Sequence, residues 1–317
     1  MKTRMLLALA AVFAAIPAMA DRDLTDRNIE IRDTLFAAAP DDLRIYEYDA
    51  GALDSVPYLL EHARLAEPWA YKALGDCYRY GNGGLEKSLA NAICYYVAAG
   101  IDIKDLIGQT AKENPDDELV RFYTTLTKVM KYVDSGATDS IPAYLDGANL
   151  PDRPWTRTLR EYSRLDLPAD SSERLLSLVD ENSDGEQFLV VFGLKAFMYP
   201  KEKEFRPLNK TLLFARKVPL MYNFAGTEYL RDFRDSGSKE NLLMAIECLR
   251  KADEAGLLDP YTFGRLQSAA NEAGVDLTEY FPEDDLKRLR HLQAQHDEEL
   301  RRELSEEGVS IQMMNDE

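Results

Sequence analysis

Residues 70–100, AYKALGDCYRYGNGGLEKSLANAICYYVAAG, admit little besides a tight pair of helices. Ala70, Leu74, Gly75 and Tyr78 recur at helical spacing, and Gly81, Asn82, Gly83 and Gly84 then end the helix with residues that tolerate positive φ. A second helix is expected to start near Glu86, carrying Leu89, Ala92, Ile93, Tyr96 and Ala99 along one face. Ala70, Gly75, Ala92 and Ala99 have almost no side chain, so the two helices can approach at the short end of the ~8–10 Å interaxial range. Tyr78, Tyr95 and Tyr96 are then expected to fill the groove.

These same residues resemble the Sel1-like (Sel-one-like) repeat, a relative of the tetratricopeptide repeat. Its pattern runs Ala-x3-Leu-Gly-x2-Tyr-x2-Gly-x-Gly, a loop, then Ala-x2-aromatic-aromatic-x2-Ala, and is met by Ala70, Leu74, Gly75, Tyr78, Gly81, Gly83, Ala92, Tyr95, Tyr96 and Ala99. The chain departs from it at Asn91, where the family usually has Lys, and at Gly100, which closes the unit early. The resemblance implies an all-α fold, an α/α superhelix or solenoid of irregular helix pairs. It implies nothing about a ligand.

Partial echoes of this unit extend the expected repeat domain over residues 21–282, with the clearest repeat at 66–100 and a divergent one at 219–256. In the latter, Ala225-Gly226 replaces Leu-Gly, Tyr229 holds the Tyr position, and Ala245, Cys248, Leu249 and Ala252 follow in register, while Asp232 stands where the loop glycine belongs. The segment 54–69, DSVPYLLEHARLAEPW, is echoed by DSIPAYLDGANLPDRPW at 139–155, which places Trp69 and Trp155 at equivalent positions and favours each filling the same kind of groove over an aromatic binding platform. Between these echoes, Leu119, Phe122, Tyr123, Leu126, Val129, Met130 and Val133 form an amphipathic stripe ended by Gly136. FLVVFGLKAFMY, at 188–199, reads as a buried helix stopped by Pro200. A helix is also expected over 21–39, and a charged C-terminal helix and tail over 283–317.

Lys2 and Arg4, the apolar run MLLALAAVFAAI and Ala18-Met19-Ala20 before Asp21 read as a signal peptide over residues 1–20. A soluble periplasmic or secreted protein is therefore expected, with no membrane insertion after cleavage. The net charge of −18 becomes more negative once Lys2 and Arg4 are removed, and such a surface repels phosphate backbones, so nucleic acid is not an expected partner. Three cysteines allow at most one internal disulfide. Secreted cysteine-rich members of the family staple such helix pairs, which makes a Cys77–Cys94 bond one option. Buried free thiols are the favoured one, because the two residues sit at unmatched heights on their helices.

Catalytic signatures are sparse. His291 and His296 are five apart on a helix and turn about 140° away from each other, and neither His-Glu-x2-His, Cys-x2-Cys nor Gly-x-Ser-x-Gly occurs. Asp180, Asn182 and Asp184 with Gly185 match the start of a calcium loop, yet Val191 stands where a bidentate Glu is required, so a plain capped turn is the favoured reading over weak calcium binding. No catalytic, cofactor or metal set is assigned. The sequence reading is a non-catalytic exported solenoid that binds a protein or peptide partner as a scaffold or adaptor. Tyr71, Lys72, Asp76 and Arg79, pointing away from the packing stripe, are its candidate partner-binding residues. The alternative is a secreted hydrolase of the cysteine-rich Sel1-like type acting on β-lactam or cell-wall material.

Overall fold

The structure, a computed structural model, describes residues 55–165, 167, 172–199 and 207–306. The expected leader at 1–20, the helix expected at 21–39, Asp54 and Pro200 lie outside the described residues. Regular structure among the described residues is entirely helical, which places the chain in the all-α class. In order the helices are α1 (Ser55–Ala63), α2 (Pro68–Tyr80), α3 (Leu89–Ala98), α4 (Ile103–Glu113), α5 (Glu118–Asp134), α6 (Ser140–Gly147), α7 (Pro154–Tyr162), α8 (Glu173–Leu176) and α9 (Gly185–Met198). They continue with α10 (Leu208–Lys217), α11 (Met221–Ser236), α12 (Lys239–Glu254), α13 (Pro260–Ala273), a 3-10 turn (Leu277–Glu279) and α14 (Glu283–Glu306).

Helices α2 and α3 form the expected hairpin. Gly81 takes the left-handed conformation at φ 73° and returns its N–H to the Cys77 carbonyl, ending α2. Helix α3 begins at Leu89, three residues later than the sequence suggested, because the Ser88 side chain accepts from Asn91 N and makes Ser88 the cap. A second acceptor arrives from far along the chain: Glu186 in the first turn of α9 takes the Ala90 N–H at 3.1 Å. Burial raises the Glu186 carboxyl above its ordinary pKa, with nearby Asp184 adding to the rise.

Helices α11 and α12 form a second hairpin of matched build. A Cβ added at Gly75 would lie 2.7 Å from the Tyr96 ring, and one added at Gly226 would lie 2.6 Å from Leu249. In each hairpin the glycine of the first helix therefore meets the large side chain that occupies the same place in the second. The two hairpins also touch, although more than a hundred residues separate them in the chain. Tyr71 Oη donates to the Gly256 carbonyl and Tyr95 Oη to that of Ala255, both at 2.8 Å. Gly256, at φ 68°, lies so close to Ala63 that an added Cβ would stand 2.7 Å from the alanine methyl.

The core has two parts. The larger runs from Val56 to Leu257 and includes the whole of FLVVF, with Phe188, Phe192 and Phe214 in mutual ring contact. That stretch is the buried helix α9, as its length suggested. The smaller part joins the second half of α11 to α12, α13 and α14 through Leu230, Phe233, Leu249, Phe263, Phe281, Leu286 and Leu289. The charged C-terminal helix thus begins inside the packed body. Asp253 on α12 binds Arg64, just past α1, at 2.8 Å and Arg288 on α14 at 2.8 Å, while Asp285 also takes Arg64 at 2.6 Å.

Candidate functional site

The four residues proposed to face a partner divide evenly. Lys72 and Asp76 lie on the open side of α2 and pair at 2.9 Å. Tyr71 and Arg79 do not lie there: both are buried, at 7% and 6% exposure. Helix α2 is covered on two sides, so residues read as its outer face meet neighbours brought in from elsewhere. Tyr71 is sealed by the second hairpin through Gly256, and burial raises its phenol well above the usual range. Arg79 is held by Asp117, the N-cap of α5, at 3.0 Å and by Thr110 Oγ1 at 3.4 Å. Asp76 turns its other oxygen to the Tyr96 hydroxyl at 2.6 Å, so it serves the α2–α3 contact as well as the surface.

Cys77, Cys94 and Cys248 are free and buried. Desolvation pushes the thiols of Cys94 and Cys248 up to about 12 and raises that of Cys77, the opposite of what a nucleophilic or metal-binding thiolate needs. In the Asp180 to Asp184 turn, Asp180 Oδ1 accepts from Asn182 N, and Asp184 Oδ1 accepts from Gln187 N while Gln187 Oε1 accepts from Asp184 N. The capping box thus uses one oxygen of Asp184, and the preceding turn uses one of Asp180, two of the carboxylates a calcium ion would need. Among the described residues no group of three or more His, Cys, Asp or Glu is placed to hold a metal ion.

A different constellation is open to solvent, at the turn joining α1 to α2. Ala66 N donates to Ala63 O and Glu67 N to His62 O, closing a Schellman-type turn with Ala66 at φ 58°. Among the described residues it is the one non-glycine with positive φ. The turn folds Glu67 back so that one oxygen, Oε2, lies 2.5 Å from His62 Nδ1 and accepts the Trp69 indole N–H at 2.8 Å. A carboxylate only accepts, so Nδ1 carries a proton and donates it to Glu67. The rings close up around it: Tyr58 and His62 at 4.4 Å, His62 and Trp69 at 4.8 Å, Tyr58 and Trp69 at 6.1 Å.

The His62 and Glu67 side chains keep 25% and 36% exposure, and Leu65 beside them is exposed. The two tryptophans therefore differ. Trp155 fills a groove edge-on to Phe122 and is 2% exposed, as expected, whereas the Glu67 hydrogen bond holds Trp69 half-buried at the rim. Sequence reading assigned no role to His62 and favoured groove packing for Trp69. The signal available was the clustering of His62, Glu67 and Trp69 within eight residues around a helix break at Pro68.

No family model, curated protein or solved structure matches this chain.

Proposed function

We propose that the protein is an exported, non-catalytic binding protein built as an irregular α-solenoid of Sel1-like helix pairs, which engages a protein or peptide partner. The observation that carries this reading is the contrast between what is sealed and what is open. The thiols are buried and shifted away from reactivity, and the buried phenols of Tyr71 and Tyr95 are spent on carbonyls of the second hairpin. The half-exposed Trp69, His62 and Glu67 group offers ring surface and acceptors, the material of recognition. The matched glycine contacts at Gly75 and Gly226 support treating the two hairpins as divergent copies of one unit. Export rests on the leader read in residues 1–20.

The test is capture from the native exported fraction with mature wild-type protein as bait, alongside a hydrolase screen over β-lactam and cell-wall substrates. A specific, saturable protein partner with no turnover is expected. Turnover that survives stringent purification, and is lost on substitution of a single side chain, overturns the reading in favour of an enzyme.

A further inference from the structure

The turn between α1 and α2 carries three features that belong together chemically. The first is aromatic surface, with the Trp69 indole against the His62 ring and half-buried at the rim. The second is an open acceptor. Among the described residues, Glu67 Oε1 makes no hydrogen bond, because Oε2 takes both internal ones. The third is the field: the chain carries a net charge of −18. The nearest cation in sequence, Arg64, is neutralised by Asp253 and Asp285 at 2.8 and 2.6 Å and is turned toward α12 and α14. An aromatic rim beside a carboxylate, with one carboxylate oxygen open and the local cation already paired, suits a cationic group. It attracts through the ring quadrupole and the carboxylate together, and the overall field steers it in.

Resting on the reading of the protein as a peptide binder, we propose that this turn is a docking site for a basic side chain, lysine or arginine, presented by the partner. The cation lies over the Trp69 rim and donates a hydrogen bond to Glu67 Oε1. Glu67 is thus both the brace of the turn and the counter-ion of the ligand. Leu65, exposed beside the turn, supplies apolar contact for the aliphatic stem of the incoming side chain.

The test is calorimetric titration of the mature chain with a decapeptide of alternating lysine and glycine, and with its glutamate counterpart, at physiological ionic strength. The lysine peptide is expected to bind and the glutamate peptide not to. Trp69→Leu, which leaves the net charge unchanged, is expected to weaken binding about tenfold, the scale of a desolvated cation–π contact. Glu67→Gln, which preserves the acceptor to Trp69, is expected to weaken it severalfold. Glu61→Gln removes an equal charge from exposed surface on α1 and is expected to stay within about twofold of wild type. Helical circular dichroism of each variant confirms that it folds, and the conservative Glu67→Gln keeps the test alive if Trp69→Leu does not.

Equal weakening by Glu61→Gln and Glu67→Gln, or undiminished binding by folded Trp69→Leu, reduces the effect to diffuse acidity and overturns the site. Binding that appears only after residues 21–54 are deleted assigns the patch to that segment and equally overturns it. A native partner captured alike by wild type and Trp69→Leu removes this site while leaving the broader binding function standing.

Discussion

Asp253 is the residue on which most of the long-range polar order converges. Its carboxylate, 5% exposed, lies between the guanidinium groups of Arg64 and Arg288, and Arg288 also donates to the Arg64 carbonyl. Removing the anion leaves two cations in a mostly buried place sharing the single carboxylate of Asp285. Asp253→Ala is therefore expected to cost about 3 kcal/mol, with Asp253→Asn costing less, as read by urea denaturation. Glu186 makes the opposite case, a buried carboxylate whose charge is a burden. Its pKa in the folded chain is raised above the ordinary value of 4.5. The stability it contributes is thus fully present below that value and is lost as pH rises through the raised one. Glu186→Gln keeps an acceptor for Ala90 N, so the variant's melting temperature should gain on the wild type between pH 4 and pH 7. A difference independent of pH would contradict this.

At the scale of elements, the two hairpins are held by the absence of side chain at one position each. Gly75→Ala pushes a methyl into the Tyr96 ring, whose hydroxyl is pinned to Asp76 at 2.6 Å, whereas Gly226→Ala meets Leu249, which can change rotamer. Both are expected to destabilise by about 1–3 kcal/mol, Gly75→Ala more, and Leu249→Ala should recover part of the Gly226→Ala loss in a double-mutant cycle. These helices were legible in the sequence because small residues, aromatic positions and left-handed glycines are local signals. The buried α9 was legible for the same reason, from an apolar run too long for a strand. What escaped was anything decided by a neighbour distant in the chain. Tyr71 and Arg79 lie opposite the stripe of α2, and nothing local says that residues 255–256 and 117 will cover them. The open turn was missed for a subtler reason, since His62, Glu67 and Trp69 converge only through the left-handed Ala66, a conformation alanine rarely adopts.

For the molecule as a whole, the chain returns to where its described part starts. The last helix, α14, is tied to the residue following α1, and the end of α12 is hydrogen-bonded from α2 and α3. Residues 283–317 read in the sequence as a charged helix and tail, and deleting them strips Leu286 and Leu289 from the smaller core and Arg288 from Asp253. The shortened chain is expected to melt well below the full-length mature protein, and an unchanged melting temperature would show the helix to be an appendage. The buried cysteines acquire a use from this arrangement. One thiol lies in each helix of the first hairpin and one in the second helix of the other, and none reacts until its surroundings open. They are three clocks already wound into separate parts of the molecule. Pulse labelling with a thiol reagent in rising denaturant will read the order of opening, and the ties at Asp253 and Gly256 imply that Cys94 and Cys248 become reactive at the same denaturant concentration.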